Sequence, residues 1–409
     1  MACRKGRASA LRLLFDVCDE SCAGVLGMPQ VAHLFEISHA MSQTAWGIER
    51  SPASRPFDVK RLASSVSRSQ AGSRNGPWPK AGTGPGAVGS DNSETEHGVD
   101  FAGLKLWVSE CAPLLHTCLT TFMHTRCFHY GDSEDNTSES AQGGGRFPLA
   151  SSIPSTLAVF DPPRPQQPSV LLEELEAELF GLALSHKKLQ GPWLRLYTNE
   201  EDGLSFNRVC YKIIGFGGPT VILVREKGSG AVWGGCAGSP WKESNSFYGD
   251  QDNFLLRLAP DFSVLHSKVS SNGNFQYLNL KGFSLPHGLG MGGTLDNFRF
   301  FLPEALDGSC VGRSACLTFE SGELCPESSR RFEVDSLEVW GVGGAEALEE
   351  ALKALAKQRE VAAHNIQKAR QVDRSKFAEN EFDREFLLGK TFGGGGNYNS
   401  NQDRRQGQS

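Results

Sequence analysis

The stretch TVILVREKGSGAVWGG, residues 220–235, predicts a β-hairpin. Two runs rich in β-branched, apolar and aromatic residues, 220–226 and 231–235, favour extended structure. They flank Lys-Gly-Ser-Gly at 227–230, where glycine permits the backbone conformations of a tight turn. The sequence therefore predicts two neighbouring antiparallel strands at this point in the chain.

Short strand-like segments surround this hairpin. RFEV at 331–334 and LEVWGV at 337–342 have the composition of closing strands. ACLTFE at 315–320 alternates, which would put its alanine, leucine and phenylalanine on one face of a strand. An amphipathic helix is predicted at 171–184, ahead of the strands. Many short strands with glycine turns, together with flanking helices, indicate an α+β fold built on an antiparallel β-sandwich.

The sequence HGLGMGG at 287–293 matches the dinucleotide-binding pattern G-x-G-x-x-G through Gly288, Gly290 and Gly293. That pattern holds a pyrophosphate only between a strand and the N-terminus of a helix. Here the following residues alternate as a strand over 298–302, so no helix begins after the last glycine. We therefore expect a glycine turn between strands, with positive φ or a close backbone approach, and no bound dinucleotide.

Residues 1–45 predict two helices around a loop. If Asp19 is the first position of a calcium-binding loop, Gly24 and Leu26 occupy the positions of the turn glycine and the apolar plug of an EF-hand. The ligands are poor, because Gln30 stands where a bidentate glutamate is required. We expect a degenerate EF-hand-like helical region that binds no calcium and serves packing. An unrelated helical hairpin and a calcium sensor are the alternatives.

Composition divides the whole chain into packed and unpacked segments. Stretches rich in Ser, Gly, Pro and charged residues bury too little apolar surface to offset the entropy of ordering. The predicted segments are EF-hand-like helices at 1–45, a disordered linker at 46–100, a helical segment at 101–130, a disordered linker at 131–168, the sandwich domain at 169–344, a charged helix at 345–390 and a disordered tail at 391–409.

The charged helix carries one narrow apolar stripe. Its members recur at spacings of three and four residues, and most other positions are charged, polar or small. Because it has little to bury against its own domain, this helix is expected to be solvated or to dock on a partner. The stripe residues that we predict for such contact are Leu348, Leu352, Leu355 and Ile366.

Composition and charge exclude several classes of function. The chain has 409 residues and a formal net charge of −6, which argues against a nucleic-acid-binding protein. No apolar run is long enough to span a membrane, and Ala2 stands where N-myristoylation requires glycine, although peripheral membrane association stays open. The 11 cysteines form no C-x-x-C pair, as expected for reduced thiols in a cytoplasmic protein, and no metal site or cofactor is predicted.

Several segments, in order along the chain, resemble one known domain. GPWLRLYTNEEDGLSFNRV at 191–209 combines a strand with a DG-x-SFNR turn. A central block at 217–260, the Gly-Leu-Gly-hydrophobic-Gly-Gly turn at 287–293 and a closing strand at 332–343 follow. Together they resemble the TLDc domain. The FYGD and LGMGG sequences, the EF-hand-like start and the tail at 373–389 are most similar to the family's mTOR-associated lysosomal branch.

The resemblance implies an interaction protein without an established active site. TLDc proteins are linked to protection from oxidative stress and to binding of the V-type proton ATPase, and the lysosomal branch is also linked to mTOR signalling. It implies a cytoplasmic protein, peripheral on a lysosomal or vacuolar membrane, with V-type ATPase subunits and mTOR-related proteins as partners. Besides the helix stripe, the candidate interaction residues are Ser205, Asn207, Arg208, Asp250, Asp252, Gly288, Gly290 and Gly293.

One departure from the family and one alternative function qualify this interpretation. Asp252 and Asn253 occupy the places where the family's GESFLF segment has Glu and Ser, so any role of that glutamate would fall to a shorter carboxylate.

The alternative function is an enzyme of oxidative-stress defence. Spacing assigns no nucleophile–base pair to it, so we expect no enzyme. Its further candidate side chains are His266, His287, Cys210 and Cys236.

Overall fold

The computed structural model describes the chain at residues 7–46, 59–70, 98–128, 161–172, 176–281, 284–306, 310–324 and 330–379. The amino-terminal part is mainly helical, and its two short strands pair antiparallel. Its elements are α1 (Arg7–Cys18), β1 (Val25–Leu26), α2 (Met28–Trp46), α3 (Lys60–Gln70), β2 (Val99–Asp100), α4 (Phe101–Cys111) and α5 (Leu115–Phe128).

The rest of the described chain is mainly strand. Its elements are β3 (Arg164–Pro165), α6 (Glu176–Ser185), β4 (Pro192–Thr198), α7 (Asn199–Asp202), α8 (Phe206–Ile213), β5 (Thr220–Glu226), β6 (Val232–Ala237), β7 (Phe254–Ala259), β8 (Ser263–Leu265), β9 (Gln276–Asn279), β10 (Gly288–Thr294), β11 (Asn297–Pro303), β12 (Cys310–Gly312), β13 (Arg330–Phe332), β14 (Val334–Gly341) and α9 (Ala345–Glu379).

Two mostly antiparallel sheets form a sandwich. One has seven strands in the order β3-β4-β14-β5-β6-β7-β8, in which β3 pairs with β4 in parallel. The other has five strands in the order β13-β12-β11-β10-β9, and its pairs are antiparallel. Apolar residues of both sheets, among them Trp233 of β6 and Phe300 of β11, share the core between them. The predicted α+β fold with an antiparallel sandwich and flanking helices is confirmed.

The predicted hairpin lies at the centre of the seven-stranded sheet. Strand β5 spans the predicted residues 220–226, and its register pairs Thr220 with Ala237 and Arg225 with Val232 on β6. In the turn, Gly228 and Gly230 have φ values of 93° and 67°, in the left-handed region that favours glycine.

Side chains of β5 alternate between two hydrophobic cores. Ile222 and Val224 belong to the core between the sheets, whereas Val221 and Leu223 belong to a core on the opposite face. That second core also contains apolar residues of helices α1 to α6. The helices therefore form a layer over the outer face of the seven-stranded sheet. Burial on both faces explains why β5 is a continuous apolar run instead of an alternating one.

Hydrogen bonds fix this helical layer to the sheet. Trp107 on α4 donates from Nε1 to Ser65 Oγ on α3 over 2.8 Å, and the Ser65 hydroxyl donates to the carbonyl of Phe262, beside β8. Nε2 of His266 lies 2.7 Å from the carbonyl oxygen of Glu110 on α4. These contacts join distant parts of the sequence, so the amino-terminal helices and the sandwich are parts of one packed body.

The loop between α1 and α2 is closed by the carboxylate of Asp19. Its Oδ2 accepts the N–H of Gly24 over 2.7 Å, and its Oδ1 accepts the N–H of Ala23 and the hydroxyl of Ser21 at 3.0 and 3.1 Å. The bond from Gly24 is the main reason that the pKa of Asp19 is lowered. This carboxylate therefore organises a turn of its own backbone.

Part of the predicted linker at 46–100 is ordered. Helix α3 lies within it and buries Leu62, Ala63 and Val66. The serine- and arginine-rich composition suggested disorder, but these three residues form one apolar stripe that packs in the helical layer. The disordered linker predicted at 131–168 also contains regular structure near its end, because β3 pairs with β4 there. The other residues of both linkers lie largely outside the described chain, as does the tail at 391–409.

Two predictions of strand and turn were wrong. The glycine stretch is itself a strand, β10, and the turn to β11 falls at Leu295 and Asp296. ACLTFE at 315–320 is not a regular strand: Phe319 is buried in an isolated bridge to Ser267, and Leu317 is exposed. A local turn prevails there, because the N–H of Phe319 donates to Cys316 Sγ over 3.2 Å.

The carboxy-terminal helix α9 begins at the predicted residue 345. Leu348 and Ala351 lie in the core between the sheets, which corrects the expectation that this helix has little to bury against its own domain. The compact unit that contains the sandwich ends at Leu352, within the helix. In the second unit, every residue from Ala356 to Lys368 is exposed. Among the described helices, none has the combination of length and apolar character that membrane crossing requires.

Candidate interaction surface

The DGLSFNR motif builds a short amphipathic helix at the edge of the sandwich. Tyr197 on β4 donates its hydroxyl to the carbonyl of Gly203 over 2.7 Å, which holds the turn before α8. Burial raises the pKa of Tyr197, so the donor stays protonated. Helix α8 then buries one face, whose residues are Phe206, Val209, Cys210 and Ile213.

The opposite face of α8 is exposed, as is Leu204, two residues before the helix. We call Leu204, Asn207, Arg208 and Tyr211 the α8 surface, and all four are exposed. The guanidinium of Arg208 donates to the carbonyl of Asp202, which orients it along this surface. Tyrosine and arginine, with tryptophan, are enriched among the residues that contribute most to binding at protein interfaces.

The structure places the predicted residues of DGLSFNR in different roles. Asn207 and Arg208 lie on the α8 surface, while Ser205 is half-buried at the helix start without a side-chain capping bond. The sequence prediction omitted Leu204 and Tyr211. The apolar spacing of α8 could have revealed Tyr211, because burial of positions 206, 209, 210 and 213 turns that side chain outward. Leu204 precedes the helix, so no helical spacing marks it.

Asp250 and Asp252 lie on an exposed loop before β7 and serve local contacts. Asp250 accepts the hydroxyl of Ser239 over 2.9 Å and the N–H of Asp252 over 3.0 Å. Asp252 forms an ion pair with Lys188, and the hydrogen bond from that ammonium is the main reason that the pKa of Asp252 is lowered. A lowered pKa favours a permanent carboxylate, which does not suit a general acid at neutral pH.

The departure at Asn253 has a structural explanation. Asn253 is fully buried, and its Oδ1 accepts the N–H of Gly238 over 2.7 Å. Its Nδ2 donates to Gln276 Oε1 over 3.0 Å, and Gln276 donates in turn to the carbonyl of Ser239. The side-chain amide at 253 thus links both ends of the loop that carries Asp250 to the strand β9.

The glycines of HGLGMGG leave space for aromatic rings and for the neighbouring strand. A Cβ on Gly290 would lie 2.7 Å from the ring of Phe298, and one on Gly288 would lie 2.5 Å from the ring of Phe301. These two rings stack on each other at 4.4 Å between centroids. Gly293 instead lets the backbone of β11 approach, since its Cβ would lie 2.1 Å from the Asn297 carbonyl oxygen.

The predicted residues of α9 differ in exposure. Leu348 and Leu355 are buried, whereas Leu352 and Ile366 are exposed. Ile366 lies within the exposed stretch of the second unit, and its side chain is 54% exposed. The stripe that we predicted as one surface therefore divides into buried residues and exposed residues.

The side chains considered for an enzyme serve the fold. Cys210 and Cys236 are buried, and burial raises the pKa of each thiol to about 12, which disfavours the reactive thiolate. His287 lies 3.5 Å from Glu304, and His266 contacts α4 as described. Within the described ranges, no three His, Cys, Asp or Glu side chains cluster as metal ligands do.

The fold and these surfaces define a β-sandwich module, backed by helices, that presents an exposed helix face and loops at its edge. Residues 165–343 match the TLDc domain family, and the chain carries a TLDc domain over that range. This bears out the resemblance inferred from the motifs.

Sequence relatives fall in two groups. "MTOR-associated protein MEAK7" of Xenopus laevis is 32% identical over 157 residues, which are 38% of this chain and 33% of that protein. The Homo sapiens protein of that name is 31% identical over 152 residues, 37% of this chain and 32% of that protein. "Oxidation resistance protein 1" of Xenopus laevis is 29% identical over 180 residues, 44% of this chain and 19% of that protein. The matched segment thus spans about a third or less of these relatives.

Proposed function

We propose that this chain is a non-enzymatic regulatory protein that docks on subunits of the V-type proton ATPase at a lysosomal or vacuolar membrane. The TLDc domain and the names of its relatives support a regulatory role linked to mTOR and to oxidation resistance. The pump is the partner that the family resemblance implies. The chain itself would be cytoplasmic and peripheral to the membrane.

One observation supports the docking most directly. Helix α9 is anchored by Leu348 and Ala351, and its residues 356–368 are exposed on all sides. An isolated helix is marginally stable in water, so a long exposed helix gains from a partner that covers its apolar residues. Ile366, in the predicted stripe, is the strongest candidate for such a contact.

A matched pair of substitutions tests the docking. Val361 is 53% exposed, close to the 54% of Ile366, and lies about 140° away from it around the helix. We expect Ile366→Asp to abolish recovery of pump subunits from solubilised vacuolar membranes by the full chain, and Val361→Asp to retain it. Circular dichroism checks that both variants keep their helix content.

Two results would decide against this proposal. Equal recovery of pump subunits by the two variants and the parent would remove the α9 stripe as the docking element. Absence of pump subunits from every pull-down, with other membrane proteins recovered, would remove the pump as partner.

The alternative, an enzyme of oxidative-stress defence, is tested through the thiols. Because the folded pKa of Cys210 and Cys236 is about 12, both should resist alkylation at pH 8, while the exposed Cys22 reacts. Mass spectrometry of the alkylated chain gives the order of reaction. Peroxide consumption that disappears with Cys210→Ser or Cys236→Ser would favour the enzyme.

A further inference from the structure

We infer that the segment between α6 and β4, residues 186–190 and called the α6–β4 corner below, is a pH-sensitive contact between the helical layer and the sandwich. The corner is closed at neutral pH, and protonation of His186 in mild acid loosens it. This inference goes beyond the proposed pump docking and is independent of it, because it concerns the chain without a partner.

His186 is the capping residue of a short helical turn at Lys187–Leu189. Its Nδ1 accepts the backbone N–H of Lys188 over 3.1 Å. Because a backbone N–H can only donate, Nδ1 is the unprotonated ring nitrogen and the ring proton lies on Nε2. A second proton on Nδ1 would meet the N–H of Lys188 as donor against donor. Protonation therefore removes the cap, whereas the usual capping residues Asn and Ser have no charge to gain.

The capped turn lies where the helical layer meets the seven-stranded sheet. Leu189 is fully buried, and its carbonyl accepts Nε1 of Trp193 on β4 over 2.8 Å. Just before the turn, the hydroxyl of Ser185 donates to the carbonyl of Cys111 at the end of α4 over 2.7 Å. Loss of the cap therefore acts at the point where α4, α6 and β4 come together.

Two histidine rings lie against the same phenylalanine at this point. The ring of Phe254 on β7 is 5.6 Å from that of His186 and 6.0 Å from that of His266 on β8, between centroids. Nε2 of His266 donates to the carbonyl of Glu110, so that bond survives protonation of the other ring nitrogen. Of these two rings, only His186 loses a hydrogen bond when it becomes charged.

Burial opposes a charge on His186. The titratable side chains that face its ring are Lys188 from its own turn, Asp252 from the loop before β7 and His266 from β8. Burial is the main reason that the pKa of His186 is lowered; Lys188 and His266 lower it further, and Asp252 opposes them. Lys188 and Asp252 form an ion pair, so their effects on the ring act in opposite directions from one place.

Acid should weaken the closed corner. The unfolded chain takes up a proton at His186 near the ordinary histidine pKa of about 6.5, and the folded chain does so only at a lower pH. The stabilisation from neutral His186 is therefore complete above about pH 6.5 and is lost as the pH falls through the folded pKa. Over that interval, the equilibrium constant for opening rises by up to about tenfold per pH unit.

Hydrogen exchange of the full chain tests the inference with a matched pair of variants. His186→Asn keeps an acceptor for the N–H of Lys188 that acid cannot protonate. Between about pH 7 and about pH 5.5, after correction for intrinsic rates, we expect protection of the amides at 186–191 to fall about threefold or more in the parent. His186→Asn should retain that protection. His33→Asn, which replaces an exposed histidine on α2, should show the same fall as the parent.

The His186 ring gives a second measurement that needs no variant. Nitrogen NMR of the imidazole, assigned through the backbone of residue 186, shows which ring nitrogen carries the proton and follows its titration. We expect the proton on Nε2 at neutral pH and a titration midpoint below about 6.5.

Three outcomes would overturn the inference. The first is a neutral ring with its proton on Nδ1, because such a ring cannot cap the turn. The second is a titration midpoint of His186 at or above about 6.5. The third is an equal acid response of the amides at 186–191 in the parent and in His186→Asn.

Discussion

At the scale of single residues, the glycines of β10 show how one strand makes room for the next. The side chains of Leu289 and Met291 lie in the core between the sheets. Gly290, between them, faces the opposite side of the strand, where the rings of Phe298 and Phe301 pack over it. Aromatic rings that pack over a glycine shield the strand backbone, which a glycine otherwise leaves exposed to solvent. The motif therefore serves packing in this chain.

Gly290→Ala is expected to lower the free energy of unfolding by about 1–3 kcal/mol, because both rings must shift to admit a methyl group. Urea unfolding followed by tryptophan fluorescence measures the change. Gly217→Ala is the control, since its added carbon would come no closer than 4.0 Å to the atoms around it. Similar losses in both variants would show that ring packing is not what Gly290 provides.

Glu338 on β14 is a fully buried carboxylate that three neutral groups satisfy. Its Oε2 accepts the hydroxyl of Ser169 over 2.7 Å and Nε1 of Trp340 over 2.9 Å. Its Oε1 accepts the N–H of Val170 over 2.8 Å. Glu338 thereby ties the segment before α6 to the seven-stranded sheet.

Glu338→Ala should lower the free energy of unfolding by about 3–5 kcal/mol, because three buried donors lose their acceptor. The surface carboxylate Glu333, which pairs with Lys227 at 2.8 Å, is the control, and Glu333→Ala should have no measurable effect. Chemical denaturation of the two variants compares them. A change at Glu338 as small as that at Glu333 would mean that water satisfies the donors.

At the scale of elements, the helical layer depends on a few specific contacts with the sheet. Ser65 on α3 is central, because it accepts from Trp107 and donates to Phe262 at once. One hydroxyl thus connects two helices and a strand end. Removing this hydroxyl should lower the free energy of unfolding more than removing an ordinary surface hydroxyl. Its loss leaves a buried donor and a buried acceptor unpaired.

Ser65→Ala is therefore expected to destabilise the fold by about 2 kcal/mol. The neighbouring residue offers a close control, because the hydroxyl of Ser64 donates only to the carbonyl of Lys60 in the same helix. Ser64→Ala should stay within experimental error. Hydrogen exchange of α3 and α4 reports the difference, and equal protection in both variants would contradict the role assigned to Ser65.

At the scale of the whole molecule, the helices and the seven-stranded sheet share one hydrophobic core. Leu62 of α3 and Leu223 of β5 belong to the same cluster. The TLDc domain is thus covered on one face by residues that precede it in the sequence. In the compact unit that contains the sandwich, the α8 surface is an accessible part of the described chain.

Leu62→Ala should destabilise the helical layer and the sandwich together, by about 2–5 kcal/mol. Far-UV circular dichroism and exchange of the β5 amides should then shift to the same lower denaturant concentration. Two separate transitions, with the helices lost before the sheet, would show that the layer is an independent domain.

Local sequence determined the elements whose signal is local. The β5–β6 hairpin, the strand at 298–302 and the start of α9 follow from turn residues and apolar periodicity, which short segments carry by themselves. Spaced motifs also indicated the TLDc domain. In the candidate site, the motif DGLSFNR contains Asn207 and Arg208, and their exposure is a consequence of the spacing in α8. That they contact a partner stays a prediction.

Only the tertiary structure decided which surfaces are covered. The role of α3, the glycines beneath Phe298 and Phe301, and the exposure of Leu317 all depend on partners far away in the sequence. An apolar residue has the same identity whether it packs in a core or projects from a turn. The difference is whether another residue packs against its side chain. That depends on long-range packing, which no local sequence pattern specifies.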